Sequence, residues 1–141
     1  MAAKASAEWQ GDLKSGNGNF TAGDSLSGEY SFKSRFEDGP GANPEQLIAG
    51  AHAACFSMAL SNVLAEKGAN PESVKTDAKV TLRMLDEGPT ITQIDLTTVA
   101  RVPGLDDADF QEAAQAAKEG CPVSKALASV PEINLDATLE S

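Results

Sequence analysis

The sequence predicts an α+β fold, and three features of its hydrophobic patterning say so. Short alternating segments open the chain, and an almost unbroken apolar run with helical punctuation follows from Asn43 to Gly68. Two long alternating segments, two helical patterns and a last alternating segment complete it. Strands, one long helix, two strands, helices and a strand form an α+β order rather than a succession of βαβ units. At 141 residues the chain has the usual length of one domain and can bury about 68% of its unfolded surface, so a single domain over 1–141 with one core is expected.

Each element has its own signal. Lys4 to Trp9, Asn19 to Ala22 and Glu29 to Phe32 read as three short strands, with turns at Gly11-Asp12 and Gly16-Asn17-Gly18. Gly16 and Gly18 are followed neither by a third glycine opening a helix nor by Gly-Lys-Ser/Thr, so they read as hairpin glycines rather than a phosphate loop. Asn43 is placed to cap a helix that has Pro44 at its first position and Gln46 where a capping box is completed; Gly68 stops it. Leu47, Ile48, Ala51, Ala54, Cys55, Met58, Ala59 and Leu60 point in nearly every direction around that axis, the mark of a helix buried on most sides. The small residues Ala49, Gly50, Ala53 and Ala54 would admit other backbone closely. About 24 residues make about 36 Å of helix, which places it through the centre of the molecule.

Val74 to Leu85 then carries Val74, Ala78, Val80, Leu82 and Met84 on one face, and Ile91 to Val102 carries Ile94, Leu96, Ala100 and Val102, with a turn over Asp86 to Thr90. A helix from about Asp106 to Lys118 has aspartates at its positive end, Phe110, Ala113, Ala114 and Ala117 on its inner face, and Gly120 as its stop. Cys121-Pro122 opens a short helix to about Ala128. After Pro131 a last strand alternates Ile133, Leu135, Ala137 and Leu139.

Composition excludes several classes of function. With 11 basic and 21 acidic residues the net charge is −10, which repels nucleic acid and anionic membranes at long range. Trp9, Tyr30 and Phe32 have no basic companions with which to stack bases. Only 5% of residues are aromatic, so the core must be aliphatic and alanine-rich. Residues 1–9 lack an apolar stretch of signal-peptide length, and no segment is expected to approach the 18 or so apolar residues of a membrane span. A cytoplasmic protein without nucleic-acid or membrane partners is the resulting expectation.

The two cysteines stand in contrasting settings: Cys55 inside the long apolar helix, Cys121 immediately before a proline that opens another. In a reducing compartment such a pair reads as reactive or metal-bound more readily than as a permanent staple, the plain alternative being two inert buried thiols. By position alone Cys121 is the more acidic, because a helix start favours an anion. A metal-binding module built on His52, Cys55 and Cys121 would have three ligands and no CxxC spacing, short of a closed structural zinc set. A non-catalytic, stress-related interaction protein would account for the acidic surface while leaving both thiols idle. Ser57 and Ser124 have neither a second histidine in the chain nor any triad pattern to draw on.

Four stretches taken together narrow these readings: Ser34-Arg35-Phe36-Glu37; Gly41-Ala42-Asn43-Pro44-Glu45-Gln46-Leu47; Ala51-His52-Ala53-Ala54-Cys55-Phe56-Ser57-Met58-Ala59-Leu60; and Gly120-Cys121-Pro122-Val123-Ser124. In this order and over nearly the whole chain they resemble the osmotically inducible protein C (OsmC/Ohr) family of organic hydroperoxide reductases, the OsmC branch in particular. The resemblance implies an OsmC-like fold, with antiparallel sheets packed around a long central helix in an intertwined homodimer. It implies a thiol peroxidase acting on organic hydroperoxides and hydrogen peroxide, with two sites at the subunit interface and neither metal nor other cofactor. By the same motifs Cys55 resembles the peroxidatic cysteine, Cys121 the resolving cysteine, and Arg35 with Glu45 the pair that activates the thiol. The resemblance further implies a Cys55 to Cys121 disulfide reopened by an external dithiol such as a lipoylated protein.

These roles make physical demands. Thiolate, not thiol, cleaves a peroxide bond, and Cys55 lies about three turns from its helix start, too far for the dipole to help. Burial would raise its pKa further, so a cation such as Arg35 must offset it. Glu45 lies ten residues before Cys55, about 15 Å along one helix, so a single arginine touching both needs a second chain; Glu45 is expected to reach Arg35 from the other subunit. Phe36, Phe56 and Met58 are expected as substrate-pocket walls. His52, three residues before Cys55, is expected to pack or to make a structural hydrogen bond. The loop 36–42, glycine-rich with Pro40, has the composition of a segment able to move and carry Arg35 with it.

Overall fold

The computed structural model describes residues 1–140. Its elements are β1 (Ala5–Gln10), β2 (Asn17–Ala22), β3 (Leu26–Tyr30), α1 (Phe32–Phe36), α2 (Pro44–Glu66), β4 (Ser73–Leu85), β5 (Gly88–Arg101), α3 (Asp107–Gly120), α4 (Pro122–Ala126) and β6 (Glu132–Glu140). They form two three-stranded sheets in two compact units, residues 1–47 and the chain from Ile48 onward. The α+β class expected from the sequence is the one observed.

The first unit is an antiparallel meander, β1-β2-β3. Trp9, Phe20 and Tyr30 stack across it, with ring centroids 5.4 Å apart for Trp9 and Tyr30 and 6.3 Å for Phe20 and Tyr30. Gly18 is the residue this stack requires: a Cβ there would come within 2.7 Å of both Trp9 Cε3 and Tyr30 Cε1. Gly18, read as a turn residue, instead lies within β2 opposite Trp9 and Tyr30, where its lack of a side chain admits the aromatic rings. Replacing Gly18 with valine is expected to cost about 1–3 kcal/mol by overpacking, measurable as a lower urea midpoint at unchanged slope.

The third strand ends two residues earlier than expected. Phe32 instead starts the five-residue α1, capped by Ser31, whose hydroxyl accepts from the Ser34 N–H at 3.1 Å while Ser34 Oγ accepts from the Ser31 N–H at 2.8 Å. The loop read as able to move is tied down: Gly39 N–H donates to Lys33 O and Ala42 N–H to Glu29 O, at 3.1 and 2.8 Å.

The second unit is sheet β4-β5-β6, covered on one face by α2 and α3. Phe56, Leu60 and Leu64 of α2 pack with Ile94, Leu96 and Ala100 of β5 and with Phe110, Ala113, Ala114 and Ala117 of α3. Those four α3 residues are the inner face the sequence indicates. A line of hydroxyls fixes α2 to the sheet: Ser57 donates to Thr76 at 2.8 Å, Thr76 shares a bond with Thr98 at 3.0 Å, and the buried Thr98 donates to Lys75 O.

β4 and β5 pair antiparallel, but β5 and β6 pair in parallel, which corrects the expectation of wholly antiparallel sheets. The cause is connectivity: α3 and α4 form a crossover that brings the chain back to the same end of the sheet, so one βαβ unit does occur.

α2 holds the largest departure. Asn43 Oδ1 accepts from the Gln46 N–H at 2.9 Å, and Gly68, at φ +84°, closes the far end through Ala69 N–H to Leu64 O at 3.0 Å, as the sequence indicates. Yet the helix is long and apolar enough to cross a membrane, contrary to expectation, and only 22% of its most apolar stretch is buried inside the chain. Burial follows the single stripe His52, Phe56, Leu60 and Leu64, while Ala51, Ala54 and Met58 are exposed. One chain supplies one sheet and one helix to cover α2, which is too little for an element apolar all round.

Candidate active site

Cys55 and Cys121 are brought together. Their sulfurs lie 3.0 Å apart, as free thiols, across 66 residues of sequence. Cys55 rides on α2 and is partly buried; Cys121 is fully buried at the corner between α3 and α4. That corner is set by Pro122, which lacks an N–H and drives the preceding residue out of helical geometry, to φ −59° and ψ 123°. Gly120, expected to stop α3, is its last helical residue, and Cys121 N–H still donates to Ala117 O at 2.9 Å. The same residue ends one helix and caps the next.

The two thiols titrate in opposite directions. Burial pushes Cys55 up, and the neighbouring Cys121 thiol adds to this. Burial also pushes Cys121 up, but contacts from the Cys55 thiol, the Ser124 N–H and hydroxyl, and the Val123 N–H together outweigh it, and its pKa is lowered. Cys121 makes no side-chain cap hydrogen bond at the start of α4. Both directions match the sequence reading, in which Cys121 is the more acidic by position and Cys55 needs a cation.

Arg35 and Glu45 form an ion pair within one chain, which corrects the expectation that Glu45 arrives from the other subunit. Arg35 Nη2 lies 2.7 Å from Glu45 Oε1, and Nε donates at 3.2 and 3.3 Å to the two carboxylate oxygens. The turn after α1 makes this possible: Ser34 Oγ donates to Ala42 O at 2.7 Å and Asn43 Nδ2 to Ser34 O at 3.0 Å, folding Arg35 back over the first turn of α2. Glu45 is buried while the Arg35 side chain stays 35% exposed. Of the guanidinium's five N–H groups, Nε and one on Nη2 go to Glu45, so three remain to face an anion.

The expected pocket walls separate. Phe36 lines a cavity of about 460 Å³ with Trp9, Leu13, Tyr30, Phe32 and Arg35. Phe56 is wholly buried in the core, because α2 turns it onto the sheet. Met58 is 75% exposed and borders a different, open groove with Ser57, Ser61 and Pro71.

His52 makes the structural hydrogen bond expected of it: Nε2 sits 2.7 Å from Ser124 Oγ, both residues buried. Burial lowers its pKa, so the ring is neutral at pH 7. Ser124, set aside in the sequence as lacking a triad, is the residue that reasoning missed; its signal was its place three residues after Cys121. With Nε2 engaged, no three His, Cys, Asp or Glu side chains converge to hold a metal among the described residues.

The family model described as OsmC-like protein matches residues 37–136, more than half of the chain. The chain belongs to the OsmC-like family. This OsmC-like chain is 46% identical over 140 residues to Peroxiredoxin OsmC of Escherichia coli (strain K12), covering 98% of this chain and 96% of the relative. It is 39% identical over 96 residues to the organic hydroperoxide resistance protein OhrB of Bacillus subtilis, covering 68% of this chain and 69% of that one. The crystal structure of that OhrB superposes with a TM-score of 0.72 at 29% identity, over 99% of this chain and 98% of the other. An OsmC-like protein from Mycoplasma pneumoniae shares the fold, with a TM-score of 0.77 at 15% identity over 100% of this chain and 99% of the other. The family and fold expected from the motifs are those found.

Proposed function

We propose that this OsmC-like chain is a thiol-dependent peroxidase that reduces organic hydroperoxides, and hydrogen peroxide, through Cys55 and Cys121. One observation carries the reading: two free thiols, remote in sequence, held 3.0 Å apart on separate helices. A disulfide needs about 2.05 Å, a closure small enough for side-chain rotation. The names of the relatives, a peroxiredoxin and a hydroperoxide resistance protein, support the same activity.

In the proposed cycle Cys55 thiolate attacks the terminal peroxide oxygen. The O–O bond breaks, alcohol or water leaves, and Cys55 becomes a sulfenic acid. Cys121 displaces its oxygen as water to give the disulfide, which an external dithiol, such as that of a lipoylated protein, reduces again. The three free N–H groups of Arg35 stabilise the Cys55 thiolate and the departing oxygen, and Glu45 holds the guanidinium. Since Glu45 pairs with Arg35 of its own chain and stands ten residues of continuous helix from Cys55, Arg35 serves the Cys55 of a second copy.

That arrangement requires a homodimer, and the uncovered apolar faces of α2 support one: they fit the core of a two-chain assembly, with the stripe His52 to Leu64 already in the protein core, better than a bilayer span. The family match crosses both compact units, which supports reading the chain as one functional domain. The aromatic lining around Arg35 and Phe36 suits apolar peroxides. A cytoplasmic site of action fits the need for reducing partners.

The test is dithiol-dependent consumption of tert-butyl and cumene hydroperoxide against hydrogen peroxide. Wild type is expected to turn over all three, organic substrates fastest. Cys121→Ser is expected to stop at one sulfenic acid per chain, with slow turnover supported by monothiols. Fast dithiol-dependent turnover in Cys121→Ser, with no sulfenic acid trapped, would overturn the assignment.

A further inference from the structure

We propose that His52 and Ser124 are positioning residues for the second chemical step: His52 Nε2–H donates to Ser124 Oγ, and the Ser124 hydroxyl in turn donates to Cys121 Sγ, readying that sulfur to attack oxidised Cys55. This rests on the reading of Cys121 as the resolving thiol.

The geometry is a buried bond between the two helices that carry the sulfurs. His52 lies on α2 three residues before Cys55, and Ser124 is the third residue of α4, which Cys121 caps. Their 2.7 Å contact spans 72 residues of sequence and excludes water, both side chains being buried. It therefore fixes the start of α4 against α2 at the level of the 3.0 Å sulfur contact.

Direction follows from the other ring nitrogen. His52 Nδ1 is buried with no hydrogen-bond partner. A buried N–H without an acceptor is rarer than a buried acceptor without a donor, so Nδ1 is the bare nitrogen and the proton of the neutral ring sits on Nε2. Ser124 Oγ then accepts from His52, which leaves its own proton free for Cys121 Sγ, three residues before it at the start of the same helix. The Ser124 hydroxyl is among the groups that favour a Cys121 thiolate.

The step balances without further reactants. Cys121 thiolate attacks Cys55 Sγ, an S–S bond forms as the S–O bond of the sulfenic acid breaks, and the departing hydroxide takes up the proton released by the Cys121 thiol, leaving as water. The imidazole stays neutral throughout and orients rather than transfers.

Two measurements test this. His52 is the chain's single histidine, so nitrogen NMR of the reduced, labelled protein gives one unambiguous ring. The expected spectrum shows Nε2 protonated and Nδ1 bare; a proton on Nδ1 overturns the proposal, because Ser124 would then donate to His52 and away from Cys121. In rapid-quench mass spectrometry with cumene hydroperoxide, His52→Leu and Ser124→Ala are expected to slow disulfide formation about tenfold more than they slow sulfenic acid formation, the worth of one hydrogen bond. His52→Gln, whose amide can still donate, is expected to recover most of that loss. Equal slowing of both steps, with glutamine no better than leucine, overturns the proposal in favour of plain packing. Absence of any disulfide in wild type would instead overturn the assignment of Cys121 itself.

Discussion

Replacing Cys55 with serine is expected to abolish turnover of every peroxide, a loss of at least about 10⁴-fold, while the fold persists. An alcohol has neither the acidity nor the nucleophilicity of a thiol, so no other group in the chain can take over. Cys121 cannot, although it is the more acidic sulfur here. It is fully buried, whereas Cys55 has some exposure, and attack requires the peroxide oxygen to reach the sulfur. Only a sulfur contact is lost, so the thermal midpoint should stay within a few degrees. Peroxide consumption by Cys55→Ser at the wild-type rate would remove the basis of the mechanism.

The second large effect concerns Arg35. A thiol with an ordinary pKa of about 8.5 is only about 3% ionised at pH 7, and burial lowers that fraction tenfold for each unit by which it raises the pKa. Arg35→Met removes the cation that the reading requires. The expected result is a fall of about 10² to 10³ in the rate constant for sulfenic acid formation. The pH at which Cys55 becomes reactive to an alkylating reagent should rise in parallel. Glu45→Gln, which leaves the guanidinium present but less firmly held, is expected to lose less. The same reading makes a sharper demand. If Arg35 serves the Cys55 of a second copy, mixing Cys55→Ser chains with Arg35→Met chains and allowing exchange restores one intact site in each mixed dimer. Half of the dimers are mixed and one of their two sites works, so about a quarter of wild-type activity should return. Two inactive pools that stay inactive after proven exchange would show that Arg35 acts within its own chain, or not at all.

What the sequence disclosed and what it hid divide along the range of the interactions involved. Both ends of α2 were legible because Asn43 and Gly68 act within four residues of themselves, and the inner face of α3 was legible because Phe110, Ala113, Ala114 and Ala117 repeat at helical spacing. α1 was hidden: five residues are too few to show a period, and the Ser31 and Ser34 hydroxyls that cap it resemble any polar turn. The parallel pairing of β6 was hidden as well, since alternation in Ile133 to Leu139 reports which face is apolar and not the direction of the neighbour. For the site, the motifs indicated Cys55, Cys121, Arg35 and Glu45. The hydrogen bond of His52 was expected, but its partner Ser124 stands 72 residues away and could not be named from local spacing. The burial of α2 was overestimated because periodicity reports that all its faces are apolar without saying what covers each one.

The corner at Cys121 has a consequence for how the protein survives its own chemistry. Anchored by helix on both sides and already touching its partner, this sulfur needs no melting of the surrounding chain to reach a freshly oxidised Cys55. In the proposed cycle the sulfenic acid would therefore be short-lived, and a second peroxide molecule would rarely arrive in time to drive it on to the irreversible sulfinic state. On that reading, proximity at rest would make the protein robust to surges of oxidant.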